Sequence, residues 1–121
     1  MKKFVSAICT VLILMVIAGT VALAACDGKS RSYNVDCYKT FGTYQYAKAT
    51  QSAACDGGHS VTLANELTVY YTDGTSHSYS GKSTIKKQVP AGKVGQKASG
   101  VFNATCSGGY KFPRRTATDK W

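Results

Sequence analysis

Acidic side chains are scarce in this 121-residue sequence, where six Asp and Glu stand against 15 Lys and Arg for a formal net charge of +9. Histidine is also rare, with two residues. So few carboxylates and imidazoles leave little material for acid–base catalysis. The G-x-S-x-G, H-E-x-x-H and phosphate-loop spacings are missing as well. We therefore predict that the protein is not an enzyme.

Metal-binding spacings are also missing. No C-x-x-C pair occurs, and His59 and His77 stand apart from the cysteines. Structural zinc sites need closely spaced Cys and His ligands. We therefore predict neither a metal ion nor any other cofactor.

The N-terminus has the three parts of a secretory signal. Lys2 and Lys3 precede an apolar run that extends from residue 4 to small residues ending at Ala25. The run is long enough for a membrane-spanning helix, but no Lys or Arg closes it before Lys29. Cleavage is therefore favoured over retention. We predict that residues 1–25 are removed and that the protein acts outside the cytoplasm.

The cleavage site has two interpretations, which differ in the fate of Cys26. Residues 22–24, Ala-Leu-Ala, fit ordinary release into the medium. Residues 23–26, Leu-Ala-Ala-Cys, resemble a bacterial lipobox, in which Cys26 carries a lipid and residues 26–32 form a polar tether to the cell envelope. Alternatively, Cys26 is one half of a disulfide. The sequence leaves both alternatives open.

Four cysteines remain after cleavage: Cys26, Cys37, Cys55 and Cys106. In an exported protein an even number indicates disulfides, and four thiols allow three connectivities. A lipid on Cys26 would leave an odd number, which argues against the lipobox. Residues 54–59 and 105–110 each place a Cys before a Gly-Gly pair, and this internal similarity favours a bond between Cys55 and Cys106.

The remainder of the chain lacks a helical period after residue 30. It consists of short segments rich in Tyr, Val and Thr that are separated by glycine turns. The candidate strands are residues 33–38, 42–49, 60–63, 66–72, 76–80, 84–89, 98–106 and 110–112. Asp73-Gly74 indicates a hairpin with a type I′ turn. We predict an all-β domain over residues 33–112, a small antiparallel β-sandwich or small barrel of about seven disulfide-stapled strands, with a basic, loosely ordered tail at 113–121.

Net charge limits the choice of partner. Removal of Lys2 and Lys3 leaves 13 basic residues against six acidic ones, a formal charge of +7. Such a charge favours an anionic envelope component or an acidic protein. The basic residues are spread along the chain, so a nucleic-acid partner is not predicted. Contact with a membrane is predicted only through a lipid on Cys26.

Aromatic residues are the most prominent chemical feature of the predicted domain, since eight Tyr are too many for the core of a chain this size. Tyrosine is enriched at recognition surfaces because it gives rigid contact area at low entropic cost. Tyr44 and Tyr46 share one face of a strand that follows a glycine. These two residues are the predicted contact site.

Residues 37–106 resemble the tendamistat type of small secreted α-amylase inhibitor. The similarity lies in a Cys-bounded loop carrying the triplet Tyr44-Gln45-Tyr46, followed by the strand and turn of residues 67–75. The family has Trp-Arg-Tyr where this chain has Tyr-Gln-Tyr. The resemblance implies a two-sheet sandwich and a bond between Cys37 and Cys55, and it adds Gln45 and Tyr70 to the binding candidates.

A fainter likeness, carried by residues 59–65 and Trp121, is to lactococcin-type bacteriocins, which are basic secreted β-sandwiches without cysteine. Three hypotheses about function follow. The first is a non-catalytic binding protein that inhibits an extracellular enzyme, and the second is a cationic antimicrobial. The third is a small ribonuclease, with Glu66 as base, His77 as acid and a cation from Lys86, Lys87 or Arg114 for the phosphate.

Overall fold

The computed structural model describes residues 29–121, which form two antiparallel sheets and contain no helix, so that part of the chain has no helix able to cross a membrane. The seven strands are β1 (Ser30–Thr40), β2 (Tyr44–Ala54), β3 (Val61–Tyr71), β4 (Ser76–Gly81), β5 (Thr84–Gln88), β6 (Gly95–Cys106) and β7 (Lys111–Lys120). The prediction of an all-β chain with seven antiparallel strands is confirmed. The predicted signal and Cys26 lie outside the described residues.

The strands are divided between a three-stranded sheet in the order β1-β2-β5 and a four-stranded sheet in the order β4-β3-β6-β7. Three hairpins, β1–β2, β3–β4 and β6–β7, supply most of the pairing. The chain crosses from the four-stranded to the three-stranded sheet between β4 and β5, and it crosses back between β5 and β6. The two inner faces enclose the core.

Alternation of small or apolar residues with polar residues determines which face of each strand is buried. In β2, Ala47 and Ala49 point inward, and in β3, Leu67, Val69 and Tyr71 do so. The core cluster consists of Val35, Ala47, Ala49, Leu67, Val69, Tyr71, Ile85, Val89, Ala98 and Phe102. Each fully buried Leu, Val or Phe side chain contributes roughly 1.5–3 kcal/mol relative to an exposed one.

Three predicted boundaries differ from the structure. Segments 60–63 and 66–72 belong to one strand, β3, because the polar residue between them, Asn65, is buried and hydrogen-bonded. The predicted tail 113–121 falls mostly in β7, an edge strand whose polar residues face solvent. β1 begins at Ser30, so the end of the predicted tether is part of the three-stranded sheet.

The hairpin at Asp73-Gly74 is confirmed, but the predicted turn type is wrong. Only Gly74 has a positive φ there, +89°, whereas a type I′ turn needs two such residues. The Gly74 N–H donates to Tyr71 O, and the Tyr71 N–H donates to Thr75 O, which is the pattern of a three-residue connection ending in a glycine bulge. Two consecutive residues of positive φ occur instead in the β1–β2 turn, at Phe41 and Gly42.

The structure contains neither predicted disulfide, because Cys37 and Cys55 are both free thiols. Cys37 lies opposite Ala47, whereas Cys55 follows the far end of β2, so the two are separated along the strand. Burial, followed by the charge of Asp119, raises the pKa of the Cys37 thiol to about 12. Cys37 therefore stays protonated and is a poor nucleophile.

Candidate contact surface at one end of the sandwich

Three connections meet at one end of the sandwich: the β1–β2 turn, the β3–β4 turn and the β5–β6 loop of residues 89–94. The Thr72 N–H donates to Val94 O at 2.9 Å, and the Lys93 ammonium lies 2.6 Å from the Asp73 carboxylate. These bonds hold the β5–β6 loop against the β3–β4 turn. The end of the molecule is therefore a tied set of loops on a rigid scaffold.

Most of the exposed large apolar side chains lie at this end. Phe41 is 92% exposed, Val94 is 55% exposed and Tyr44 is 50% exposed, and the remaining member of the group, Tyr33, is 37% exposed. Isolated exposed apolar residues need no explanation, but a concentration of them marks a contact site. We call Phe41, Tyr44 and Val94 the hairpin-tip surface.

The backbone of Phe41 is in a conformation that its side chain disfavours. Its φ of +51° lies in the left-handed region, and Phe41 is the single non-glycine residue with positive φ among residues 29–121. In that region Cβ approaches the following carbonyl oxygen, at a cost of roughly 1–2 kcal/mol. The turn holds Phe41 there because Thr43 N–H bonds Thr40 O at 3.2 Å and closes the hairpin.

A cleft of about 300 Å³ lies beside the tip, between the start of β2 and the β5–β6 loop. Thr43, Tyr44 and Gln45 form one wall, and residues 88–93 form the other. Asp73 accepts hydrogen bonds from Lys93 and then from Thr75, and these bonds hold the pKa of its carboxyl well below its ordinary value. Asp73 therefore stays ionised at neutral pH, and its ion pair with Lys93 holds the β5–β6 loop in place.

Gln45, one of the predicted binding residues, is a structural link. Its side-chain N–H donates to Gly95 O at 3.2 Å, and the Gly95 N–H donates to its Oε1 at 2.8 Å. Both ends of the amide are therefore occupied by the start of β6. Gln45 thus links the start of β2 to the start of β6 while its side chain lines the cleft, and its role in binding stays a prediction.

Tyr44 and Tyr46 share the outer face of the three-stranded sheet, as their spacing predicts. Tyr46 is half-buried, with its ring centroid 5.5 Å from that of Tyr38 in β1 and the Lys86 ammonium of β5 5.2 Å from its centroid. Tyr44 is more exposed and lies next to the turn. Tyr46 therefore supports the tip, while Tyr44 belongs to it.

Tyr70 lies on the outer face of the other sheet, with the Lys97 ammonium 5.1 Å from its ring centroid. It is therefore not brought together with Tyr44 and Tyr46. The sequence offers no signal for this separation, because the alternation of β3 shows which residues share a face but not which sheet β3 joins.

The ribonuclease residues are not assembled. Glu66 pairs with Ser80 on the outer face of the four-stranded sheet. His77 pairs with Val69 on the opposite side, with its ring against Tyr79 at 4.5 Å. Of the proposed phosphate cations, Lys87 does approach His77, because its ammonium lies 5.0 Å from the Tyr79 ring centroid. The proposed base is what is missing from this side of the sheet, since Glu66 faces the other side. Within residues 29–121, no three of His, Cys, Asp and Glu are grouped so as to hold a metal ion.

Sequence reasoning missed Phe41 and Val94. Phe41-Gly42 between two Thr residues was a usable signal, because an X-Gly pair is typical of a two-residue hairpin loop. A comparison with protein-family models found no match for the chain, and neither did comparisons with curated proteins and with solved structures.

Proposed function

We propose that this chain is a small exported binding protein that acts without catalysis and uses its hairpin-tip surface to block an extracellular enzyme. The observation that carries the proposal is Phe41, a bulky aromatic residue kept almost fully exposed in a left-handed backbone conformation. Strained backbone positions concentrate at ligand clamps and other functional sites.

Stability does not account for a phenylalanine at this position. A ring that is 92% exposed gains almost nothing from burial, and glycine or asparagine would adopt the same backbone at lower cost. A partner that covers the ring does account for it, because buried aromatic anchors dominate binding energy at protein interfaces. A hairpin already fixed in its binding conformation also loses little entropy on association.

An enzyme cleft is the partner surface that fits the shape of the tip. Phe41 lies in the three-residue connection between β1 and β2, Tyr44 is the first residue of β2, and Val94 closes the β5–β6 loop, so the apolar groups lie on or beside connections at one end of the sandwich. Concave sites lined with apolar groups are the usual ligand sites of enzymes. The tip would occupy such a cleft and exclude the substrate.

Phe41→Gly is expected to leave the domain at least as stable and to weaken binding by tenfold or more. Stability rises by up to about 1 kcal/mol because the left-handed strain is removed, less the entropy that glycine adds to the unfolded chain. Binding and inhibition are measured against purified secreted hydrolases, including α-amylases. Thr116→Ala, on an exposed position of β7, is the control. Undiminished inhibition by the Phe41→Gly protein would contradict the proposal.

The antimicrobial hypothesis is retained as the second candidate because of charge. The structure shows one ion pair between described residues, Lys93 with Asp73, so most of the basic excess has no acidic partner there. Attraction to anionic lipid would weaken with added salt. Killing of sensitive cells that falls with salt and depends on Phe41 would favour this candidate over enzyme inhibition.

We also propose that Cys26 forms a disulfide with Cys106, which would leave no thiol at position 26 for a lipid. Cys37 and Cys55 are free thiols in the structure, so neither is the partner. The Lys29 ammonium lies 4.7 Å from the Tyr110 ring centroid, and Tyr110 O accepts the Cys106 N–H at 2.7 Å. Three further residues of chain, each spanning up to ~3.6 Å, lead from Lys29 to Cys26.

Intact mass and alkylation test this disulfide. We expect a mature mass without a lipid and, when alkylation is carried out on the urea-unfolded protein so that the buried Cys37 is accessible, two thiols that react before reduction and four that react after it. A diacylglyceryl-sized addition on Cys26 would contradict both the disulfide and release into the medium. Because Phe41→Gly is measured separately, this result would leave the proposal for the hairpin-tip surface standing.

A further inference from the structure

The outer face of the four-stranded sheet carries a straight row of hydroxyl groups, one from each strand. The pairing places Ser78, Thr68, Ser99 and Thr118 side by side across β4, β3, β6 and β7. Oγ1 of Thr68 is 2.8 Å from Oγ of Ser78, and Oγ1 of Thr118 is 3.4 Å from Oγ of Ser99. We call these four residues the hydroxyl row.

The adjacent row on the same face is aromatic and cationic. It runs Ser76, Tyr70, Lys97 and Lys120 across the same four strands. Lys97 and Lys120 are direct cross-strand neighbours, and the Lys97 ammonium is held over the Tyr70 ring. Like charges placed directly opposite each other destabilise a sheet. The pair is therefore a cost to folding that a bound anion would relieve.

Nearby acids do not neutralise this lysine pair. Asp119, the neighbour of Lys120 in sequence, faces the other side of the sheet, where its carboxylate accepts the Cys37 N–H at 2.8 Å. Glu66 shares the outer face but lies two rows from the lysines, beyond the hydroxyl row. The face thus combines unneutralised positive charge with a line of neutral hydrogen-bonding groups.

We propose that this face binds an anionic polysaccharide. Lys97 and Lys120 pair with its carboxylate or phosphate groups, and the hydroxyl row exchanges hydrogen bonds with the sugar hydroxyls. Both kinds of group are spaced by the strand separation of about 4.8 Å, so a chain lying across the strands meets them in sequence. The site shares no residue with the hairpin-tip surface, and the proposal does not depend on it.

The composition of the face favours a sugar polymer over single-stranded nucleic acid. Binding of single strands relies on successive aromatic side chains on which bases stack. These two rows contain one aromatic residue, Tyr70, and the Lys97 ammonium lies over its ring. Serine and threonine residues outnumber aromatic residues five to one in the two rows, which suits a partner rich in hydroxyls.

The three-stranded sheet supplies a matched control. Lys48 and Lys86 are also direct cross-strand neighbours, with the Lys86 ammonium over the Tyr46 ring, but Asp36 lies opposite Lys48 on its other side. Neutralising either pair removes the same two charges from the protein. If the site lies on the four-stranded sheet, neutralising Lys97 and Lys120 weakens binding, whereas neutralising Lys48 and Lys86 hardly changes it.

Binding of the purified protein to polygalacturonate is measured by calorimetry at low salt, with uncharged dextran as reference. Lys97→Gln/Lys120→Gln is expected to weaken binding tenfold or more, and Lys48→Gln/Lys86→Gln by less than threefold. Thr68→Val/Thr118→Val should weaken binding at unchanged charge, and Phe41→Gly should have no effect. Circular dichroism melting confirms that every variant is folded.

Three results would overturn this proposal. Equal losses from the two lysine pairs would mean attraction by net charge alone. Tighter binding of poly(U) than of polygalacturonate, sensitive to the same Lys97 and Lys120 changes, would mean a nucleic-acid surface. Wild-type affinity in Thr68→Val/Thr118→Val would remove the hydroxyl row from the site. A failure of Phe41→Gly to lose enzyme inhibition concerns the hairpin-tip surface and leaves this site untouched.

Discussion

Asn65→Ala is expected to lower the free energy of unfolding by about 2–4 kcal/mol, although it removes only a small polar side chain. Asn65 is 4% exposed and lies in the middle of β3, facing the core. A buried amide of this kind is tolerated only when its hydrogen bonds are satisfied. Its loss would leave several buried groups without partners at once.

The groups that depend on Asn65 belong to a chain of hydrogen bonds through the core. Gln51 of β2 donates to Asn65 Oδ1 at 2.6 Å, and Asn65 Nδ2 donates to Ser83 O at 3.1 Å. The Ser83 carbonyl also accepts the Gln51 N–H at 2.9 Å. The amide of Asn65 therefore joins both sheets to the crossover between β4 and β5.

Arg31 extends this chain toward β6 and β7. Its Nε donates to Gln51 Oε1 at 2.8 Å, and its terminal nitrogens donate to Phe102 O and Pro113 O. The carbonyls of Phe102 and Asn103, at the bulge where β6 changes register with β7, accept from Arg31 and Gln51 respectively. Arg31 and Gln51 thus supply hydrogen bonds to two backbone carbonyls at the position where the β6–β7 pairing is interrupted.

Urea unfolding measures the cost of Asn65→Ala. The matched control is Asn103→Ala, an exposed asparagine of β6 whose backbone carbonyl, and not its side chain, accepts the bond from Gln51. The control should change stability by less than about 0.5 kcal/mol. A double-mutant cycle with Gln51→Ala should give a coupling of about 1–2 kcal/mol. Equal effects of the two Asn changes would contradict the account of a buried network.

Much of the fold followed from local pattern alone. Alternation in β2 and β3 and the glycine-marked turns predicted the strands, because half-buried strands must alternate and turns of positive φ favour glycine. Two predictions failed for the same reason: the division of β3 into two strands and the assignment of residues 113–121 to a loosely ordered tail. Asn65 and the residues of β7 are polar, and a local pattern cannot show that one is buried in a network or that the others form an edge strand.

The cysteines show a different limit. Similar local sequence around Cys55 and Cys106 suggested that they pair, and the likeness to amylase inhibitors suggested Cys37 with Cys55. Pairing depends on which strand ends meet in space, and sequence spacing does not determine that. The structure leaves Cys37 in mid-strand and Cys55 beyond the end of β2, both as free thiols.

Part of the proposed hairpin-tip surface could be predicted from the sequence. Tyr44 was predicted as a contact residue because tyrosine is typical of recognition surfaces, and the structure shows it exposed at the start of β2 beside the turn. The bond of the Gln45 amide to Gly95 could not be predicted, because no local feature shows that this side chain reaches another strand. The binding role of Gln45 stays a prediction. Phe41-Gly42 indicates a turn in the sequence, but the positive φ of Phe41, which singles this residue out, is visible only in a structure.

Phe102→Ala is expected to cost about 3–5 kcal/mol, the typical range for removing a buried phenylalanine. Phe102 is 0% exposed and is the largest fully buried side chain of the described core. Its ring is so close to Gly100 that a methyl group there would lie 2.8 Å from its Cζ. A domain of this size has about 5–15 kcal/mol of stability in total, so this change alone removes much of it.

The loss of stability in Phe102→Ala depends on how far neighbouring side chains move into the cavity that the substitution leaves. The Tyr33 ring, tilted by 38° and 5.3 Å from the Phe102 ring, is partly exposed and is the aromatic neighbour that could move into the space. If it fills the cavity, the cost falls toward the lower end of the range. Tyr33→Ala in the Phe102→Ala background then adds a further loss larger than its effect in the wild type.

Phe41→Ala provides the control, since it makes the same substitution at a ring that is 92% exposed. It should change the free energy of unfolding by less than about 0.5 kcal/mol. Urea titration of both proteins gives the comparison, with equal m-values required for a two-state interpretation. A large loss of stability in Phe41→Ala together with a small loss in Phe102→Ala would contradict the assignment of Phe102 to the core and of Phe41 to the surface. Phe41 would then support the fold, and the hairpin-tip surface would lose the observation on which its function rests.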